Sequence, residues 1–88
     1  MRVFGAAGCG ACHAVRGTEW QGRLAPDLSR IGSRLTLAAG ALPNTLGNLA
    51  GWIAAPQDIK PGNAMPAYAR ALSGEEINAL AAWLDALR

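Results

Sequence analysis

Apolar side chains recur at a helical interval in several stretches of the chain. Ile77, Leu80, Trp83, Leu84 and Leu87 share one side of an α-helix at this spacing. Ser73 stands at its N-cap and Glu76 completes a capping box, which makes this the best-defined helix in the sequence. Leu46, Leu49, Trp52 and Ile53 form a second apolar face. Asn44 or Thr45 can cap its start, and Pro56 is expected to end it. Leu28, Ile31 and Leu35 have the spacing of a short amphipathic helix, with Asp27 able to cap it. The opening segment, Arg2 to Gly10, holds Val3 and Phe4 among Gly and Ala. It predicts a truncated helix held by tertiary packing, since its own propensity is weak. Phe4, Trp83 and Leu84 are expected to meet where the first and last helices cross.

The intervening stretches read as loops. Gly17, Gly22 and Pro26 interrupt residues 14–27, Gly40 and Pro43 break the chain again, and Pro61-Gly62 makes a turn ahead of Met65-Pro66. Residues 57–71 are expected to be irregular, and no stretch reads as a strand. The pattern predicts one all-α domain over residues 1–88, about four short helices with long loops and no sheet. Eighty-eight residues, 51% of them hydrophobic but only 6% aromatic, leave a small core rich in Ala. A domain of this size usually needs a staple, a metal or a cofactor, and a large flat apolar group suits this composition.

Cys9-Gly10-Ala11-Cys12-His13 supplies the chemistry. Two thiols a helical turn apart, followed at once by an imidazole, form the c-type haem attachment motif. The thiols can reach two vinyl groups on one haem edge while the imidazole takes the iron. His13 is the only histidine in the chain. A thioredoxin-type CxxC would want a βαβ surround, a zinc site would be a ligand short, and a disulfide would close only a tiny loop. Haem c, covalent through Cys9 and Cys12, is therefore the expected cofactor.

A second axial donor has to come from elsewhere. Bis-histidine ligation is excluded, Met1 is terminal, and Met65 lies in a Pro-bounded loop that suits a distal thioether. Met often fills core gaps, and Lys60 is an alternative donor once deprotonated. A carbonyl at Pro26 can accept from His13 Nδ1 and so fix the ring, though Pro26 also reads as a simple loop proline. Trp52 can donate to a propionate or simply pack. Arg34 can pair with a propionate, whereas Arg16, Arg23 and Arg30 read as solvated charges or a docking patch. The formal charge is +2, without a basic run or an aromatic-interleaved basic strip, so nucleic-acid binding has no support. Residues 1–88 read as neither a transmembrane segment nor a signal peptide, and Met1 lies just ahead of the motif. Because such haems are attached outside the cytoplasm, an export sequence or membrane anchor is expected upstream in a longer parent.

With the haem motif, Pro26-Asp27-Leu28 and the Met65 loop in this order, the chain resembles a class I cytochrome c over its whole length. The runs Leu37-Ala38-Ala39-Gly40, Leu42-Pro43-Asn44-Thr45, Pro56-Gln57, Ile59-Lys60-Pro61-Gly62-Asn63 and Met65-Pro66 are similar to the cytochrome c domain at the C-terminus of subunit II of caa-type haem-copper oxidases. The resemblance implies Cys9 and Cys12 as thioether positions, His13 and Met65 as iron ligands, and Pro26 as the partner of His13. Leu28, Trp52 and Arg34 are carried as further cofactor-binding residues. It also implies one-electron transfer from a soluble donor protein to the dinuclear copper centre of the same subunit, on the periplasmic or outer face of a bacterial cytoplasmic membrane. Leu46 and Gly47 depart from the Pro and acidic residue expected at that helix start, and the first helix is shorter than usual. The alternative is a free-standing small periplasmic cytochrome c serving another redox enzyme. An enzyme or gas sensor would need an open iron, and a peroxidase also a distal acid–base group. No membrane insertion is expected of this segment itself, and the isolated domain is expected to be a monomer.

Overall fold

In the computed structural model, which describes residues 1–88, four helices follow one another: α1, Arg2–Ala6; α2, Leu46–Ala54; α3, Pro56–Ile59; and α4, Gly74–Asp85. The capping box of α4 forms as its sequence predicts. Ser73 Oγ accepts from the Glu76 N–H at 3.1 Å, and the Glu76 carboxylate accepts from the Ser73 N–H at 2.8 Å. Ile77, Leu80, Ala81 and Leu84 are the buried face of this helix, and α2 packs against it through buried Leu49 and Ile53. Thr45 is the cap of α2, its side chain accepting from the Asn48 N–H at 3.0 Å. Phe4 of α1 is 1% exposed and meets Trp83 at 5.3 Å between ring centroids. Burying such a ring contributes roughly 1.5–3 kcal/mol, enough to hold a five-residue helix with no capping side chain.

Three expectations need correction. Residues 57–71 are not irregular throughout: α2 ends ahead of Pro56 as expected, with Ala55 pushed out of the helical region (φ −149°, ψ 67°), but residues 57–59 continue as α3, which Pro56 opens at its first position. That place suits proline, whose missing N–H would be unsatisfied there anyway. The helix expected over residues 28–35 is absent. Only a 3₁₀ turn forms, Ile31–Ser33, and Leu35 is 89% exposed. The turn is set by Gly32, whose N–H donates to the Leu87 carbonyl at 2.7 Å. A Cβ at Gly32 would collide with the Asp85 carbonyl oxygen.

The expectation of no sheet also fails, narrowly. Strands β1, Thr36–Leu37, and β2, Leu42–Pro43, pair antiparallel, with Leu37 opposite Leu42. Ala38 and Ala39 take left-handed φ of 52° and 55° between them, followed by Gly40 at 93°. Left-handed alanines cost about 1 kcal/mol or more each, and burial of Leu37 is the offsetting gain. The architecture is otherwise the expected one: short helices around one core, long loops, and no helix long and apolar enough to cross a membrane.

Candidate cofactor site

The motif lies where α1 gives way to a tighter turn. Gly8 leaves the helix in the left-handed region (φ 82°), and Cys9–Ala11 follow as a 3₁₀ turn. The Cys9 carbonyl accepts from both the Cys12 N–H (3.1 Å) and the His13 N–H (2.9 Å), which folds both thiols and the imidazole into one turn. Neither thiol is in a disulfide; Cys9 is buried and Cys12 half-buried. Burial pushes the Cys9 thiol up from its ordinary range and the nearby Cys12 adds to this, against a lowering by backbone hydrogen bonding.

His13 Nδ1 lies 2.7 Å from the Pro26 carbonyl oxygen. A carbonyl can only accept, so Nδ1 carries a proton, and Nε2 is the ring nitrogen left without a partner in the protein. The chain reaches this position by running back along the motif. Gly22 N–H donates to the His13 carbonyl (3.3 Å), Ala25 N–H to the Cys12 carbonyl (2.9 Å), and Leu28 N–H to the Ala14 carbonyl (2.8 Å). Two glycines permit the close approach. A Cβ at Gly22 would sit 2.5 Å from the Cys12 carbonyl carbon, and one at Gly10 would run into the Trp20 ring. Trp20 in turn packs on Phe4 at 4.8 Å and stands edge-on to Trp83 at 6.0 Å. This aromatic cluster backs the motif and couples it to α1 and α4.

Met65 comes from the other half of the chain. It is half-buried at the edge of the core that includes Cys9, and its N–H donates to Asn63 Oδ1 at 2.8 Å. Leu28 also packs on this core, whereas Trp52 is half-buried outside it. Arg34 is exposed and points a guanidinium N–H at the Asp27 carbonyl, 3.5 Å away. With Arg16, Asp27, Ser29 and Arg30 it lines a shallow polar recess. Hydrogen bonds from Ser29, then the charges of Arg16 and Arg34, hold the Asp27 carboxyl below its usual range. A larger, mostly apolar recess of about 400 Å³ lies between α1 and residues 68–76, but none of the four donors lines it, and donor chemistry is the better guide to the site.

Several residues that shape the site are not among the expected cofactor contacts: Trp20, Gly10, Gly22, Tyr68 and Asn44. Tyr68 donates to the Ala7 carbonyl at 3.3 Å, and burial, then the neighbouring Cys9 and Cys12, raise its hydroxyl above the ordinary range. Asn44 donates to the Ile31 and Arg34 carbonyls at 2.8 and 2.7 Å, tying the 3₁₀ turn to the hairpin. Gly10 lies inside the haem motif and Asn44 in the run Leu42-Pro43-Asn44-Thr45, but nothing local in the sequence marks Trp20, Gly22 or Tyr68 for this role.

The donor set fits a haem c. Two free thiols and an imidazole with Nε2 unengaged share one turn, and a thioether lies on a separate loop against the same core. No three His, Cys, Asp or Glu side chains come together as another metal-binding cluster.

Comparison with known proteins agrees with this chemistry. The cytochrome c family profile matches residues 1–88. Cytochrome c oxidase subunit 2 of Alkalihalophilus pseudofirmus is 43% identical over 87 residues, 99% of this chain but 24% of that protein. The subunit of the same name from Bacillus subtilis is 36% identical over 98% of the chain, and that of Bacillus sp. strain PS3 is 37% identical over 91%. The chain thus spans about a quarter of the length of these relatives. From a thiol-thiol-imidazole turn, a main-chain carbonyl behind the imidazole and a match over the full 88 residues, it follows that this chain belongs to the cytochrome c family, whose cofactor is haem c.

Proposed function

We propose that this chain is a one-electron transfer domain, with haem c bound covalently through Cys9 and Cys12 and ligated by His13 and Met65. In this reading residues 1–88 are one domain of a longer, membrane-anchored subunit 2 of a terminal oxidase. It accepts electrons from a soluble carrier protein on the periplasmic or outer face and passes them to the copper domain of that subunit. The observation that carries the reading is the 2.7 Å bond from His13 Nδ1 to Pro26, made in the same turn as two unpaired thiols. It leaves the imidazole a single free nitrogen, Nε2.

When bound, haem c supplies a one-electron iron couple. The protein's part is to hold and tune it. His13 is held in one orientation by its carbonyl partner. Met65 would hold the iron as a second ligand through its thioether, and such a ligand pair would favour a raised potential and electron transfer over oxygen chemistry. Phe4, Trp20 and Trp83 support the motif from behind, so that little rearranges between the two redox states. The similarity to oxidase subunits 2 supports the choice of partner.

The first test is the visible spectrum of the holoprotein, oxidised and reduced, with and without carbon monoxide. A c-type spectrum with the weak far-red band of a Met-to-ferric bond and no carbon monoxide shift is expected. A shift in the wild-type protein would refute Met65 as a stable ligand. Cys9→Ala with Cys12→Ala is expected to release the haem to acid-acetone, and retention would refute covalent attachment.

A further inference from the structure

The loop that carries Met65 is tied down by two side-chain amides. Asn63 Oδ1 accepts from the Met65 N–H at 2.8 Å, while Asn63 Nδ2 donates to the carbonyls of Lys60 (2.7 Å) and Pro56 (3.1 Å). Gln57 Oε1 accepts from the Gly62 N–H at 2.9 Å, and its Nε2 donates to the Asn63 carbonyl at 2.6 Å, with a longer 3.5 Å contact to the Met65 carbonyl. The main chain gives this loop little support of its own. Residues 60–65 lie in no helix or strand. The main-chain bond across their turn, Asn63 N–H to the Lys60 carbonyl, is long at 3.4 Å. Gly62 occupies the left-handed region there, φ 88°. The two amides therefore do what a ladder of backbone bonds does elsewhere, and between them they hold carbonyl or N–H groups of residues 56, 60, 62, 63 and 65.

We propose that Asn63 and Gln57 are positioning residues that keep Met65 in place against competing ligands. The proposal rests on the reading of Met65 as the distal ligand and adds what secures it. A thioether is a neutral, weak donor, so its hold depends on how much the loop loses when it swings away. Asn63 bonds Met65 at its own N–H, hence withdrawal of the residue breaks that bond first. The halves of each amide can be tested separately. Asn63→Asp keeps the oxygen that receives the Met65 N–H but replaces the donor with an oxygen facing two carbonyls. Gln57→Glu keeps the acceptor for Gly62 and loses the donor to Asn63.

The test is imidazole titration of the ferric holoprotein, following loss of the far-red band. Asn63→Ala and Asn63→Asp are expected to lower the half-displacing imidazole concentration about tenfold, equivalent to about 1.4 kcal/mol. Gln57→Glu, nearly isosteric and exposed, is expected to lower it about threefold and carries the test should the Asn63 variants fail to fold. Ile77→Val weakens the core of α4 without touching the loop and is expected to stay within about twofold of wild type. Loop variants that shift no more than Ile77→Val would overturn the proposal and leave Met65 ligation standing. A wild-type holoprotein with no far-red band would overturn Met65 ligation itself, and this proposal with it.

Discussion

Replacing Gly22 by alanine places a methyl group against the main chain of the haem motif. The added Cβ would stand 2.5 Å from the Cys12 carbonyl carbon and 2.8 Å from both the Ala11 carbonyl carbon and the Cys12 nitrogen, where ordinary contact begins at 3.4 Å. All three neighbours are backbone atoms, so no side chain can swing aside. The returning segment has to back away by most of an ångström. That lengthens the Gly22-to-His13 and Ala25-to-Cys12 bonds, now 3.3 and 2.9 Å. Overpacking of this kind costs about 1–3 kcal/mol, and each lost hydrogen bond about 1 kcal/mol more. The expected total of about 3–5 kcal/mol is a large share of the roughly 5–15 kcal/mol that holds a domain together. Guanidinium unfolding of the ferric holoprotein, followed by far-UV circular dichroism and Soret absorbance, measures it. Gly51→Ala is the matched control: Gly51 is exposed on α2 with nothing within 4 Å of an added Cβ, and that variant is expected to gain about 0.5–1 kcal/mol. A loss under about 1 kcal/mol for Gly22→Ala would show that the two segments are not in rigid contact, and the steric argument would fall.

Two further predictions concern the surroundings of the site. Trp20→Ala is expected to lower stability by about 2–3 kcal/mol, below the range for a fully buried ring because Trp20 is only half-buried. Gly10→Ala should be far less harmful in that background than in wild type, and a thermal double-mutant cycle showing no coupling would count against the contact. Asp27 has a lowered folded-state pKa, so its contribution is fully present above its unfolded value near 3.9 and is lost as pH falls through the folded value. Asp27→Asn should therefore flatten the acid end of the stability curve below about pH 4. An acid titration of ellipticity identical to wild type would contradict that assignment.

The parts of the fold that the sequence reveals are those whose causes lie within a few residues of one another. Ser73 and Glu76 announce α4, Thr45 starts α2, and Cys9, Cys12 and His13 declare their chemistry by spacing alone. The failures have non-local causes. Leu28, Ile31 and Leu35 have helical spacing, yet Gly32 is claimed by the end of α4, more than fifty positions away, and Leu35 is left in solvent. A two-residue strand is too short to show alternation, so β1 and β2 left no trace. Asn44, Gln57 and Asn63 act through carbonyls brought near by folding; the runs that contain them point to a family, but their spacing does not reveal which groups each amide holds. Gly10 and Gly22 matter for what lies opposite them, which the chain order conceals.

The partner of His13 is a main-chain oxygen, and every residue type carries one. Side-chain identity at position 26 is thus a secondary matter for the imidazole; what the protein has to conserve is a length. Thirteen positions separate the two residues, and the bonds at Gly22, Ala25 and Leu28 mark off that interval like graduations on a ruler. Substitutions along the interval leave the graduations in place, apart from the glycine with no room for a Cβ. Removing a single residue would slide every one of them and bring a different carbonyl, or none, before Nδ1. The loop is accordingly tolerant in spelling and strict in count, so variants of it should be sought by exchange and not by insertion or deletion.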